Sequence, residues 1–314
     1  MKGNLFRKWA KPDPYSAFTA LPGTYAKKKT VNSHGFISTP EISLEKKADW
    51  TRIIFLGGSS TAGTGIKNLA DEKTWPWKTV KKLKQETNNK NIDFINAALG
   101  GYSTFESYGK LWSRLRFYKP DIIIVYHGWN EMSYFKFANN PIYWRANFDI
   151  NRTYKLKKIW RYFYIAKTRF LFKNTLERNT KRSPTKLQTT FNEEGLNIYR
   201  DNIKLIRDFC LNNNIQFYFC KQPTLIHFKT KEKDQTKCRY KNHGFSYEAH
   251  IQAFESIYKI IDDEIPFKNI IDITSISGST DCFYDHIHPT EYGTDKISEI
   301  VKDSLFNTYF SLKK

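Results

Sequence analysis

Four separated stretches hold side chains whose types and spacing suit nucleophilic chemistry at a carbonyl. The run Leu56-Gly57-Gly58-Ser59-Ser60-Thr61-Ala62-Gly63 puts adjacent hydroxyls in a turn of small residues. Glycines let backbone approach a substrate closely, and a following helix N-terminus supplies N–H donors to an oxyanion. Alone, such a turn fits a phosphate-binding or purely structural role equally; it is not a P-loop, because no Gly-Lys-Ser/Thr follows. Asn96-Ala97-Ala98-Leu99-Gly100-Gly101-Tyr102-Ser103-Thr104 and Tyr126-His127-Gly128-Trp129-Asn130-Glu131 offer a glycine N–H and an asparagine amide, the donors that stabilise an oxyanion. His127 either lines a pocket or is a buried strand-end imidazole, whereas Trp129 and Glu131 read as local packing and a solvated charge. The last stretch is Asp285-His286-Ile287-His288-Pro289. In a helical turn, residues three apart share a face. Asp285 then orients the His288 imidazole, fixes its tautomer and supports the charge it gains as a base. His286 is the rival, and would point away from Asp285 in such a turn.

These stretches need a scaffold that brings them to one edge. Apolar runs rich in β-branched or aromatic residues occur at Ile53–Leu56, Ile92–Ile95, Ile122–Tyr126, Ile215–Cys220 and Ile270–Ile273. Several are apolar on consecutive residues, as strands buried on both faces require. Between them lie helical spacings: Leu196, Tyr199, Ile203, Ile206 and Cys210; then Tyr247, Ile251, Phe254, Tyr258 and Ile261 after an N-cap at Ser246; then Ile297, Ile300, Val301 and Leu305. Alternating β and α of this kind predicts a parallel sheet covered by helices on both faces. Ligands then sit beyond the carboxyl ends of the strands, where the first three stretches begin.

The chain has 314 residues, 40% of them hydrophobic and 16% aromatic. That is ample for a core and excludes a disordered or collagen-like chain. No apolar run approaches the roughly 18 residues of a spanning helix. The first residues are basic but lack an apolar h-region, so no secretory signal is expected. Cys210, Cys220, Cys238 and Cys282 lack metal-ligand spacing and read as small core residues; with no disulfide framework expected, the reading is cytoplasmic, with association at a membrane surface left open. The formal net charge is +20. Nucleic acid is the reflex partner of such a charge, but a lysine-rich solvated surface accounts for it, and nucleic acid is not the expected partner. Residues 1–50 are polar and irregular and are expected to wrap a domain over 51–314. Residues 140–190 form an insertion between the third and fourth strands. Within 151–190, twelve Lys/Arg stand against one acid, Glu177, a net +11, among Tyr154, Trp160, Tyr162, Phe163, Tyr164, Phe170 and Phe172. It is read as a solvated lid, a contact for an anionic membrane surface, or a holder of an acidic polymer, and is expected to border the site.

The blocks, in the order Ser, Gly, Asn, Asp-x-x-His, resemble those of the SGNH (GDSL-like) hydrolase superfamily over roughly residues 50–307. The resemblance implies a three-layer α/β/α, flavodoxin-like fold with a parallel five-stranded sheet. It implies Ser59 rather than Ser60 as nucleophile, His288 as base and Asp285 as its partner. The oxyanion hole would comprise the Ser59 and Gly101 N–H groups and the Asn130 amide. Tyr102, His127 and Gln222 are read as pocket wall. Gly58 stands where the family's best-known motif has Asp, and Gly-Gly-Ser-Ser resembles a bacterial branch associated with carbohydrate modification. The implied activity is removal of O-acyl groups, O-acetyl foremost, from a carbohydrate or related ester through an acyl-enzyme, with neither metal nor cofactor. The alternatives are a polysaccharide O-acetyltransferase, a lipid esterase or thioesterase, and a non-enzymatic glycan- or acidic-polymer-binding module on the same scaffold.

Overall fold

The computed structural model describes residues 9–26, 29–65, 68–136, 187–238 and 243–313. Nearly all of the basic aromatic insertion, with the expectations attached to it, lies outside them. The chain enters through two antiparallel hairpins, β1 (Ala10–Asp13) with β2 (Ala17–Ala20) and β3 (Gly23–Ala26) with β4 (Lys29–Val31). The expectation of an irregular segment is corrected here. Asp13 Oδ1 accepts from the Tyr15 and Ser16 N–H groups and the Ser16 hydroxyl, closing the first turn. Phe18 and Ala20 then bury against Ala62, Ala98, Leu99 and Tyr102. The hairpins are therefore fixed by what they cover, the loops beside Ser59 and Gly101.

The central sheet contains β5 (Thr51–Gly57), β6 (Ile92–Asn96), β7 (Ile122–His127), β8 (Gln216–Lys221) and β9 (Ile270–Asp272), all parallel, in the order β6-β5-β7-β8-β9. Period-two alternation divides each strand between two cores. Ile53, Phe55, Ile122, Ile124 and Tyr126 face one, with Trp75, Val80 and Leu83 of α2 (Trp75–Glu86, after the single-turn α1, Ser59–Ala62) and Ile297, Val301 and Leu305 of α7 (Glu291–Leu305). Ile54, Leu56, Ile123 and Val125 face the other, with side chains from α3 (Thr104–Ser113), α4 (Met132–Lys136), α5 (Glu193–Asn212) and α6 (Tyr247–Glu264). Burial on both faces explains the consecutive apolar runs. The 2-1-3-4-5 strand order puts the switch point between β5 and β7, the strands that lead into Ser59 and Asn130.

A buried lysine links α3 to the loop after β6. Lys110 is 2% exposed, donates to the Ala97 carbonyl at 3.0 Å and lies over the Phe36 and Tyr102 rings. Burial lowers its pKa from 10.5 to about 7. Between those values the unfolded chain binds the extra proton, so this group's contribution to stability grows as pH rises through that window. Lys110→Met is accordingly expected to compare best with the parent near pH 7 and to lose ground toward pH 10, read from urea midpoints at both values. A gap independent of pH would contradict a buried, neutralised amine.

Candidate active site

Ser59 opens α1 at the carboxyl edge of β5, half-buried, while Ser60 is buried. The two hydroxyls part there. Ser60 Oγ donates to the Ile287 carbonyl at 3.0 Å, tying α1 to the loop that carries His288. Ser59 Oγ lies 2.8 Å from His288 Nε2. His288 Nδ1 is 2.9 Å from both carboxylate oxygens of Asp285. An ionised carboxylate only accepts, so Nδ1 carries the proton and Nε2 accepts from Ser59.

The turn that joins Asp285 to His288 is not helical, contrary to expectation. Phe283 bridges Pro289, and the Tyr284 N–H donates to the His288 carbonyl. Asp285 Oδ1 accepts the N–H groups of Ile287 and His288 at 3.0 and 2.9 Å. The aspartate thus organises its own loop by local side chain-to-backbone bonds, and the same oxygens reach the imidazole. Thr224 Oγ1 and the Leu225 N–H donate to the His286 carbonyl, pinning the loop from β8's side. Burial opposes ionisation of Asp285, but the hydrogen bonds from His288 and the electrostatic attraction of His288 and His286 outweigh it; its carboxyl lies well below the usual carboxylate range. His286 is placed elsewhere: its ring lies tilted against Trp129 at 4.0 Å between centroids, and its Nδ1 is 3.8 Å from Asp285.

Asn130 follows β7 and donates from Nδ2 to the Tyr102 carbonyl at 2.7 Å. A Cβ added at Gly58 would lie 2.5 Å from that Nδ2 and 3.2 Å from the Tyr102 carbonyl oxygen. This close approach explains glycine at 58: an aspartate there would displace the amide. Gly65 serves similarly, since a Cβ on it would meet His288 Cδ2 at 2.6 Å. The loop before Gly101 runs beside the serine, with the Leu99 N–H donating to the Gly57 carbonyl. Gly101 itself is exposed with φ of 90°, backbone that favours glycine.

The three pocket-wall residues take different places. Tyr102 is fully buried, and its hydroxyl donates to the Phe18 carbonyl. Its ring belongs to the hairpin cluster, so only its carbonyl reaches the site, a correction that follows from the hairpins covering it. His127 and Gln222 border a cavity of about 10 Å³, together with Gly58, Ser59, Ser60, Tyr126, Gly128, Trp129, Asn130 and Ile287. Their polar atoms are already engaged: His127 Nε2 with Ser107 Oγ at 2.8 Å, Gln222 Oε1 with the Trp129 N–H at 2.8 Å. Burial lowers the His127 pKa to about 3, so it stays neutral.

Two features escaped the sequence reading. Glu131 is fully buried rather than solvated. Trp129 stacks on His250 at 5.3 Å, and meets His286 at 4.0 Å and His243 at 4.5 Å with tilted rings. The apolar neighbours Trp129, Met132 and Phe135 were the available signal that residue 131 enters the core. For a metal, Asp285, His286 and His288 offer three ligand atoms within 4.8 Å of one another among the described residues. A cation there would take the Asp285–His288 contact that orients the imidazole, and so would oppose the arrangement above.

A hydroxyl bonded to an imidazole that is itself held by a buried carboxylate is a nucleophile with a built-in proton acceptor. Solved structures of similar shape include the acetyl xylan esterase AlAXEase, at 12% identity and a TM-score of 0.48, covering 81% of this chain and 99% of that one. A catalytic mutant of the acetylxylan esterase Axe2 from Geobacillus stearothermophilus matches at 12% and 0.46, covering 83% and 96%. The psychrotrophic esterase EstA from Pseudoalteromonas sp. matches at 15% and 0.45, covering 82% and 97%. No curated protein matches the chain in sequence. Residues 53–301 match the GDSL-like Lipase/Acylhydrolase family from β5 through most of α7; the chain belongs to that family and is an ester hydrolase.

Proposed function

We propose that the protein removes small O-acyl groups, O-acetyl foremost, from a carbohydrate or related ester through a Ser59–His288–Asp285 acyl-enzyme mechanism. The observation that carries this reading is the 2.8 Å contact of Ser59 Oγ with an imidazole whose other nitrogen is held by Asp285. His288 Nε2 takes the Ser59 proton as Oγ attacks the ester carbonyl. The Ser59 and Gly101 N–H groups and the Asn130 amide receive the oxyanion. The protonated His288 gives its proton to the leaving alcohol, and water, activated by the same imidazole, then cleaves the acyl-enzyme. Asp285 stays ionised and supports the transient imidazolium.

The small acyl group is supported by the cavity beside Ser59. Its volume of about 10 Å³ is about that of one water-sized group, which favours a short acyl group over a long chain. The carbohydrate side rests on the likeness of Gly57-Gly58-Ser59-Ser60 to the carbohydrate-modifying branch. Turnover of p-nitrophenyl esters is expected to fall sharply from acetate to butyrate and octanoate, and sugar acetates are expected to be better substrates than glycerol esters of long acids. A profile that rises with chain length would replace this reading by a lipid esterase or thioesterase. Added sugar alcohols that divert the acyl group from water would identify a transferase.

Asn130→Ala is expected to lower kcat by about 10²–10³, the usual cost of one oxyanion donor. KM for p-nitrophenyl acetate should change little, because the ground-state carbonyl makes weaker use of that donor. An unchanged kcat would remove Asn130 from the oxyanion hole.

A further inference from the structure

Glu131 lies beside Asn130, yet its side chain turns away from the substrate side into a fully buried polar cluster. Its Oε1 accepts the Thr104 N–H at 2.8 Å, and its Oε2 accepts the Thr104 hydroxyl at 3.0 Å. Thr104 is the first residue of α3, three residues after Gly101. The rest of the helix start is held independently. The Ser103 N–H donates to Glu106 Oε2 at 2.8 Å in a capping box, the Ser103 hydroxyl meets Tyr134 Oη at 2.7 Å, and Asn202 Nδ2 donates to Thr104 Oγ1 at 3.1 Å. On the other side, His127 Nδ1 lies 3.8 Å from Glu131 Oε1.

The two strand-end loops therefore meet twice. In front, Asn130 Nδ2 holds the Tyr102 carbonyl. Behind, Glu131 holds both polar groups of Thr104. We propose that Glu131 is a positioning residue of the site: its bidentate hold on Thr104 fixes the Asn130 turn against the start of α3, and so sets the spacing between the Asn130 amide and the Gly101 N–H. This inference rests on the oxyanion role given above to those two donors. A carboxylate spent on a buried helix start is costly unless its bonds are made, and here both oxygens are used. Burial raises the Glu131 pKa to about 8, so the neutral acid is accessible near neutral pH. Its carbonyl oxygen still accepts from the Thr104 N–H while its O–H turns to Thr104 Oγ1. Glutamine reproduces that pattern with its amide oxygen and NH2 group; alanine offers neither.

The test measures kcat and KM with p-nitrophenyl acetate, normalised to sites titrated with a fluorophosphonate, for E131A, E131Q and the two changes in an N130A background. E131A is expected to lower kcat per titrated site by about 10–100-fold with KM within about threefold, and E131Q to restore most of it. In the N130A background E131A should cost much less, because its effect passes in part through that amide. A residue serving only stability would lower the titratable fraction and leave kcat per site unchanged; that result overturns the proposal, as does a full E131A effect in N130A. Should E131A fail to fold, Thr104→Val removes the hydroxyl with its bonds to Glu131 and Asn202 and keeps the N–H bond to Glu131; an unchanged kcat per site in that variant likewise overturns it. A parent protein inert to both the ester and the fluorophosphonate would instead sink the Ser59 reading, and with it the reaction that Glu131 is said to serve.

Discussion

Ser59→Ala is expected to abolish ester hydrolysis, with a loss in kcat of about 10⁶, the scale seen when a triad serine is removed. The fold should survive, because Ser59 is half-buried and its hydroxyl bonds only His288 among the described residues. Thermal midpoint and far-UV dichroism check the fold, and p-nitrophenyl acetate checks the activity. Ser60→Ala is the matched control. It removes one buried bond to the Ile287 carbonyl, worth about 1 kcal/mol, and should leave most turnover in place. A fluorophosphonate adduct mapped by mass spectrometry should sit on Ser59. An adduct on Ser60, or full activity in Ser59→Ala, would overturn the assignment of the nucleophile.

Asp285→Asn is expected to cost about 10⁴ in kcat, through the tautomer rather than the fold. The asparagine oxygen can still accept the Ile287 and His288 N–H groups that shape the loop. Its NH2, turned to the imidazole, donates to Nδ1 and forces the proton onto Nε2, which then cannot accept from Ser59. The substitution also changes acid stability. The folded carboxyl lies below the usual 3.8, so its stabilising contribution is present above that value and declines as pH falls toward the folded one. The stability gap between parent and Asp285→Asn should therefore hold down to about pH 4 and narrow below it, read as thermal midpoints. A kcat within tenfold of the parent would mean that Asp285 does not hold the imidazole.

Strand positions were legible because burial on both faces leaves a mark few other structures make. Ile122-Ile123-Ile124-Val125-Tyr126 has no polar side, and the structure divides it between two cores. The helices at 193–212, 247–264 and 291–305 were legible by spacing, down to the Ser246 cap that accepts from the Ala249 N–H. The N-terminal hairpins were not, since short edge pairs take their stability from the surface they cover. Tyr102 was misread for the same reason: its ring follows the hairpins, and nothing in residues 96–104 alone reveals them.

Local sequence determined the strand-to-turn junctions at 57–63, 96–104 and 126–131, and the Asp-x-x-His order that matches a family of ester hydrolases. Those are short-range matters of apolar runs, small residues and hydroxyls. The resemblance pointed to Ser59 over Ser60 and to His288 over His286; tertiary structure supplies the contacts that part each pair, and it alone decided that Glu131 faces inward. Each of those choices depends on contacts between residues far apart in the chain, Ser60 with Ile287 and Thr104 with Glu131 among them, and only packing of the sheet and its helices brings such groups within hydrogen-bonding range.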